Sequence, residues 1–143
     1  MKLDYYTEDL DKLKISEIKK IAEYFYRQYI LKITESNSKG EYFCPLLEIW
    51  LPENKMQVSH FIDRNNIELA FDLNNTWLIS EKSNVWDAKI PMEGYKSKHH
   101  YEYEMWLRKK IGNKKVNKML SIKRNFSIFV RDIYKKVINE YRT

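Results

Sequence analysis

The chain is poor in glycine, proline and cysteine. Its 143 residues hold three Gly, three Pro and one Cys. So few turn-formers argue against an all-β fold and for helices. One cysteine excludes an intramolecular disulfide and fits a reducing compartment. No apolar run nears the roughly 20 residues that span a bilayer. The N-terminal MKLDYYTEDL is acidic and lacks the apolar centre of a secretory signal. The expected location is therefore cytoplasmic. No P-loop, GxGxxG or HExxH occurs, so the chemistry those motifs carry has no anchor here.

What is present is charge, unevenly placed. Apolar residues make up 43% and charged residues 32%, the balance of a water-soluble domain. Residues 1–95 carry 12 Lys/Arg against 16 Asp/Glu; residues 96–143 carry 14 against 4. A basic half of this kind is an electrostatic footprint for a polyanion, and DNA is the expected partner. The plainer reading is a solvated, lysine-rich helical surface.

Periodicity predicts a mainly helical α+β chain of one domain. A helix is expected over Ser16–Ile33, where Ile18, Ile21, Ala22, Phe25, Tyr29, Ile30 and Ile33 recur at helical spacing. Ser16 is the expected N-cap, and Glu17 suits the positive end of the dipole. A short helical turn precedes it over Thr7–Leu13. Thr34–Gly40 reads as a polar loop, and Pro45 and Pro52 bound a short apolar segment containing Trp50. Ile90–Lys98 reads as a loop. Helices are expected over His99–Ile111 (Tyr103, Leu107 and Ile111 on one face, Gly112 at C′), Lys114–Ile122 and Asn125–Tyr141. In the last, Phe126, Phe129, Val130, Ile133, Val137 and Tyr141 are the expected buried face.

The chemistry concentrates in Gln57–Lys89, QVSHFIDRNNIELAFDLNNTWLISEKSNVWDAK. Gln57–Ile62 alternates as a strand, with Val58, His60 and Ile62 on one face. Asp63–Asn66 is a turn cluster. Ile67–Phe71 is expected as a second strand, and Thr76–Ile79 is a compact apolar run. Strand, loop, strand and helix then form a frame that holds a His beside an Asn.

These residues resemble a known family. SHFIDR…FDLNNTWLISEKSN is similar to the core of the HNH (ββα-metal) endonucleases, and within them to the phage recombination nucleases of the NinG/Rap family. His60, Phe61 and Arg64 match its first block, Phe71, Asp72 and Asn75 its second, and Asn84 its third. Tyr101–Gly112 resembles the basic helix that follows the core. The likeness covers about half the chain. The single domain is expected to comprise an N-terminal helical segment (1–40), an HNH-like core (41–95) and basic C-terminal helices (96–143). There are departures. Of the positions implied for a structural zinc, Cys44 is retained, while Leu47, Ser80 and Ser83 replace the others. One thiolate cannot make a four-ligand site, so no structural zinc is expected. Trp50, Trp77, Trp86, Leu46 and Leu47 are expected to fill the space. Ser59 stands where many HNH enzymes place an acidic ligand.

The implied activity is a metal-dependent DNA endonuclease in phage recombination or replication. The alternative is a lapsed HNH module that binds nucleic acid or plays a structural part. His60 is the expected general base; an imidazole with the ordinary pKa of about 6.5 accepts a proton at neutral pH. The resemblance gives Asn75 the task of orienting it. It gives Asn84 a place as a ligand for Mg²⁺ or Mn²⁺, with Asp87 and Asp63 supplying charge. Arg64, Lys89, Arg108, Lys109, Lys110, Lys114 and Lys115 are the expected nucleic-acid contacts. For each there is a plainer reading: a satisfied structural His60, an exposed salt bridge at Arg64, a small buried hydrophobe at Cys44. His99 and His100 are expected as helix-start surface residues, because neighbouring helical side chains diverge by about 100°.

Overall fold

A computed structural model of the protein describes residues 3–122 and 129–142. It is α+β and mainly helical, with two small antiparallel sheets. The described residues fall into two compact units, 3–32 with 129–142, and 33–122.

The first unit is helical. Helix α1 (Ile15–Ile33) buries Ile18, Ile21, Ala22, Phe25, Tyr26, Ile30 and Leu31. Its stripe differs from the sequence expectation at the margins. Tyr29 is half-buried against Tyr141, and Ile33, the last residue of the helix, is exposed. Ser16 lies inside the helix and is not its cap. The helix opens one residue earlier, and Glu17 Oε1 accepts the Lys14 N–H at 2.9 Å, which is half of a capping box. Only a short 3₁₀ turn, Leu10–Lys12, precedes it.

The last helix of the chain, Val130–Tyr141, is tied to this N-terminal stretch. Arg131 Nη1 donates to the carbonyls of Leu13 and Leu10 at 2.7 and 3.3 Å. Lys135 pairs with Asp11. The buried face is Tyr134, Val137 and Ile138; Phe129 is 61% exposed, and Val130, Ile133 and Tyr141 are only half-buried. The helical stripe thus runs one position off the expected one. The expected start of this helix, including Phe126, lies outside the described residues.

The second unit holds two hairpins and two helices. Strands β1 (Tyr42–Cys44) and β2 (Ile49–Leu51) pair antiparallel. Strands β3 (Met56–His60) and β4 (Thr76–Ser80) form the second hairpin, in the register Gln57–Ile79, Ser59–Trp77 and His60–Thr76. The strand expected over Ile67–Phe71 is absent. A relay of backbone turns replaces it: Asn66 N–H to Asp63 O, Leu69 to Asn66, Asp72 to Leu69 and Asn75 to Asp72. Asp63 and Asp72 each accept an amide two residues on, at 2.7 and 2.8 Å. Short polar side chains that bond their own backbone compete against strand here.

After β4 comes a single π-helical turn, Lys82–Trp86, and a 3₁₀ turn, Asp87–Lys89. Helix α2 (Lys98–Ile111) starts on Ser97, whose Oγ accepts the His100 N–H at 3.1 Å. It buries His99, Tyr103 and Leu107. Gly112, at φ 94°, joins it directly to α3 (Asn113–Ser121); an L side chain would be strained there. The helix 130–141 of the first unit is α4. Among the described residues, no helix is long and apolar enough to cross a membrane.

Candidate functional site on strand β3

Side chains alternate along β3, so it has two faces. Gln57, Ser59 and, just past its end, Phe61 take one. Met56, Val58 and His60 take the other. Helix α2 lies on the Ser59 side: Tyr103 Oη donates to the Ser59 carbonyl at 3.1 Å, Phe61 stacks on His100 with centroids 5.0 Å apart, and Trp106 meets Trp77 edge-on.

His60 ends β3 opposite Thr76 and is half-buried. Its Nε2 lies 2.9 Å from the Ala70 carbonyl oxygen. A carbonyl only accepts, so Nε2 carries the proton and the neutral ring keeps its lone pair on Nδ1. Asn75, the implied orienting residue, bonds backbone groups next to His60 and not the imidazole itself. Asn75 is wholly buried; its Nδ2 donates to the carbonyls of Leu69 and Ile62, both at 2.9 Å, and its Oδ1 accepts the Ile62 N–H at 2.6 Å. It fastens the turn relay to the end of β3. The carbonyl next after Leu69 is the one that holds His60.

Asn84 is on the other face. Ser59 Oγ donates to Asn84 Oδ1 at 2.7 Å, and Asn84 Nδ2 donates to Gln57 Oε1 at 2.7 Å. The β3 alternation therefore sets His60 and Asn84 on opposite sides of the strand. Asp87, three residues on, faces His99, whose pKa its charge raises against a larger lowering by burial. Asp63 is exposed and caps its own turn. These donors do not suit a divalent cation. Mg²⁺ is held by carboxylates and phosphates, yet the two oxygens that meet here belong to a hydroxyl and an amide already bonded to each other. Among the described residues no three His, Cys, Asp or Glu side chains are grouped to hold a metal.

Three of the four positions implied for zinc come together. Cys44 Sγ, wholly buried, accepts the Ser80 N–H at 3.3 Å, and Ser80 Oγ accepts the Ser83 N–H at 3.1 Å. One thiol and two hydroxyls do not fit the thiolate and imidazole set that zinc needs. The expected tryptophan filling fails in part, since Trp50 and Trp86 are 38% and 60% exposed. Trp50 leans instead on Phe43, and Trp86 takes the Lys89 ammonium 4.7 Å above its ring.

Sequence reasoning missed His99 and His100. They are no surface pair: His99 is 8% exposed, and the Nδ1 atoms of both are buried without a hydrogen-bond partner. Burial pushes the pKa of each down; Lys96 pushes His100 further, while Glu104 and the Phe61 backbone oppose. The available signal was the spacing His99–Tyr103–Leu107, one buried stripe that starts at His99.

The expected nucleic-acid contacts divide. Arg108 is engaged: it bonds Glu104 at 3.2 Å, Asn117 at 2.9 Å and Asn113 at 3.3 Å, and so fixes α3 against α2. Lys109, Lys110, Lys114 and Lys115, with Lys118, are exposed, and none is ion-paired among the described residues. Arg64 is exposed on the loop after β3. A groove between Tyr5, Tyr6, Tyr24, Glu17 and Lys20 in the helical unit contains none of these residues.

No family model matches the chain, and neither a curated protein nor a solved structure matches it.

Proposed function

We propose that this chain binds nucleic acid through the lysines at the α2–α3 junction, on a module of HNH-endonuclease type. The observation that carries the reading is that Lys109, Lys110, Lys114, Lys115 and Lys118 stand exposed, with no ion pair among the described residues, while Arg108, bonded to Glu104, Asn113 and Asn117, sets the two helices that present them. No acid falls between Glu104 and Asp132 in the sequence to neutralise them. Phosphates would replace counterions along this surface, and the affinity would fall with salt. Charge reversal of Lys109, Lys110, Lys114 and Lys115 together should lower affinity for duplex DNA. It should also flatten the logarithmic salt dependence by up to about 0.9 for each phosphate no longer neutralised. Circular dichroism should stay unchanged. Salt-insensitive binding, or none at low salt, sinks the proposal.

A second reading, DNA hydrolysis, is favoured by one observation: the Ala70 carbonyl takes the Nε2 proton of His60 and so leaves Nδ1 as the nitrogen on which a neutral ring would accept a proton. DNA cleavage in phage recombination or replication is the role that the HNH likeness implies. A plasmid-nicking assay with Mg²⁺ or Mn²⁺ decides it. In this reading the wild type nicks with a cation brought in by the DNA phosphates and not held by the Ser59–Asn84 pair, and His60→Ala loses about 100- to 10,000-fold in rate while DNA binding persists. Equal cleavage by both proteins removes His60 from the site.

A further inference from the structure

We infer that the chain closes its own cation position on β3, and that Ser59 is the residue that closes it. The inference rests on the Gln57–Asn84–Ser59 chain of hydrogen bonds. An amide oxygen that ligates a dication must point a lone pair at it. Asn84 Oδ1 points at the Ser59 hydroxyl, 2.7 Å away, and receives its proton. Turning the amide away would require Gln57 to turn its own amide as well, because Asn84 Nδ2 donates to Gln57 Oε1 at 2.7 Å. Ser59 is itself fixed: it is 2% exposed, its strand is paired through Trp77, and Tyr103 Oη donates to its carbonyl. A cation entering here would have to displace that proton, and would meet only neutral oxygens.

The chemistry inverts if a carboxylate replaces the hydroxyl. Ser59→Asp removes the proton donor and brings an anionic oxygen towards Asn84 Oδ1. Two acceptors that face each other with nothing between them repel; either a divalent cation between them or a joint turn of the Asn84 and Gln57 amides relieves the repulsion, and the Mn²⁺ titration tells the two apart. Ligand charge is the main lever on the affinity of such sites. The side chain at position 59 thus decides whether β3 excludes a cation or takes one. This deepens the proposed HNH-type reading, but its test contains no nucleic acid, so failure here leaves the lysine result standing.

The experiment is Mn²⁺ titration of the full chain by electron paramagnetic resonance, with thermal melting alongside. Wild type is expected to bind no stoichiometric Mn²⁺ and to melt at the same temperature with and without it. Ser59→Asp is expected to bind one Mn²⁺ per chain and to melt higher in its presence. Should Ser59→Asp fail to fold even with Mn²⁺, Asn84→Asp carries the test. It keeps the Ser59 hydrogen bond, adds the charge from the other side and is expected to tighten Mn²⁺ in the same direction. Stoichiometric Mn²⁺ on the wild type overturns the inference, as does no gain in whichever variant folds.

Discussion

In the helical unit the buried side chains are Ile18, Ile21, Phe25, Val137, Ile138 and their apolar neighbours. In the hairpin unit Ser59, Asn66, Asn75, Thr76, Ser80, Ser83, Ser97 and His99 are buried among the apolar residues, whereas the buried side chains with a hydroxyl described in the other unit are those of Tyr26 and Tyr134. The helical unit rests mainly on apolar surface along helical stripes, with Arg131 and Lys135 tying its last helix to the N-terminal stretch. The hairpin unit depends on particular atoms meeting, because a buried polar group without its partner costs about as much as a lost core methyl group or more. That difference predicts how each should respond to substitution, and it marks the unit in which chemistry is to be sought.

The largest expected effect is at Asn75. Asn75→Leu keeps the volume but leaves the Ile62 N–H and the Ile62 and Leu69 carbonyls without their bonds, a loss of about 3 kcal/mol or more. The counterpart in the helical unit is Ile21→Val, at 0% exposure, where one methylene is lost and about 1 kcal/mol is expected. Urea unfolding of the two variants compares them. If Asn75→Leu costs no more than Ile21→Val, the contrast between the units is broken.

The same contrast explains what could be read from sequence. Helix α1 and the stripe through Tyr103 and Leu107 were legible, because 3.6-residue periodicity needs only residue classes. The β3 strand was legible for the period-2 version of that reason. The segment 61–75 was not: Ile67–Phe71 looks like a strand by composition, while the relay Asp63–Asn66–Leu69–Asp72–Asn75 is set by which carbonyl each amide reaches. His60, Asn75 and Asn84 stood out as residues of interest. Their separation across β3 follows from the partners of their side-chain atoms. The Ser59–Asn84 bond joins residues 25 apart in the chain, and no local pattern signals it. Arg108 looked like one more cation in a basic run, and only its bonds to Asn113 and Asn117 show it to be a strut.

Acid should distinguish the two units, because His99 and His100 both lie in the hairpin unit. His99 and His100 have their pKa values lowered in the fold, chiefly by burial. The unfolded chain therefore takes up their protons first as the pH falls. Stability from these groups is full above the ordinary imidazole value of about 6.5 and is lost progressively below it. In the helical unit the corresponding group is Asp11, held below the usual carboxylate range by its hydrogen bond to Lys135 and by that ammonium's charge. Its contribution is present above about 3.8 and lost only as the pH falls further, and its full exposure keeps it small. All four tryptophans, at positions 50, 77, 86 and 106, belong to the hairpin unit, so fluorescence reports that unit alone. The urea midpoint seen by fluorescence should drop between pH 7 and pH 5. A double variant, His99→Gln with His100→Gln, should flatten that drop, whatever its stability at pH 7. A midpoint insensitive to pH in the wild type would mean that the two buried imidazoles are hydrated in solution, and that the polar core of the hairpin unit is looser than its hydrogen bonds imply.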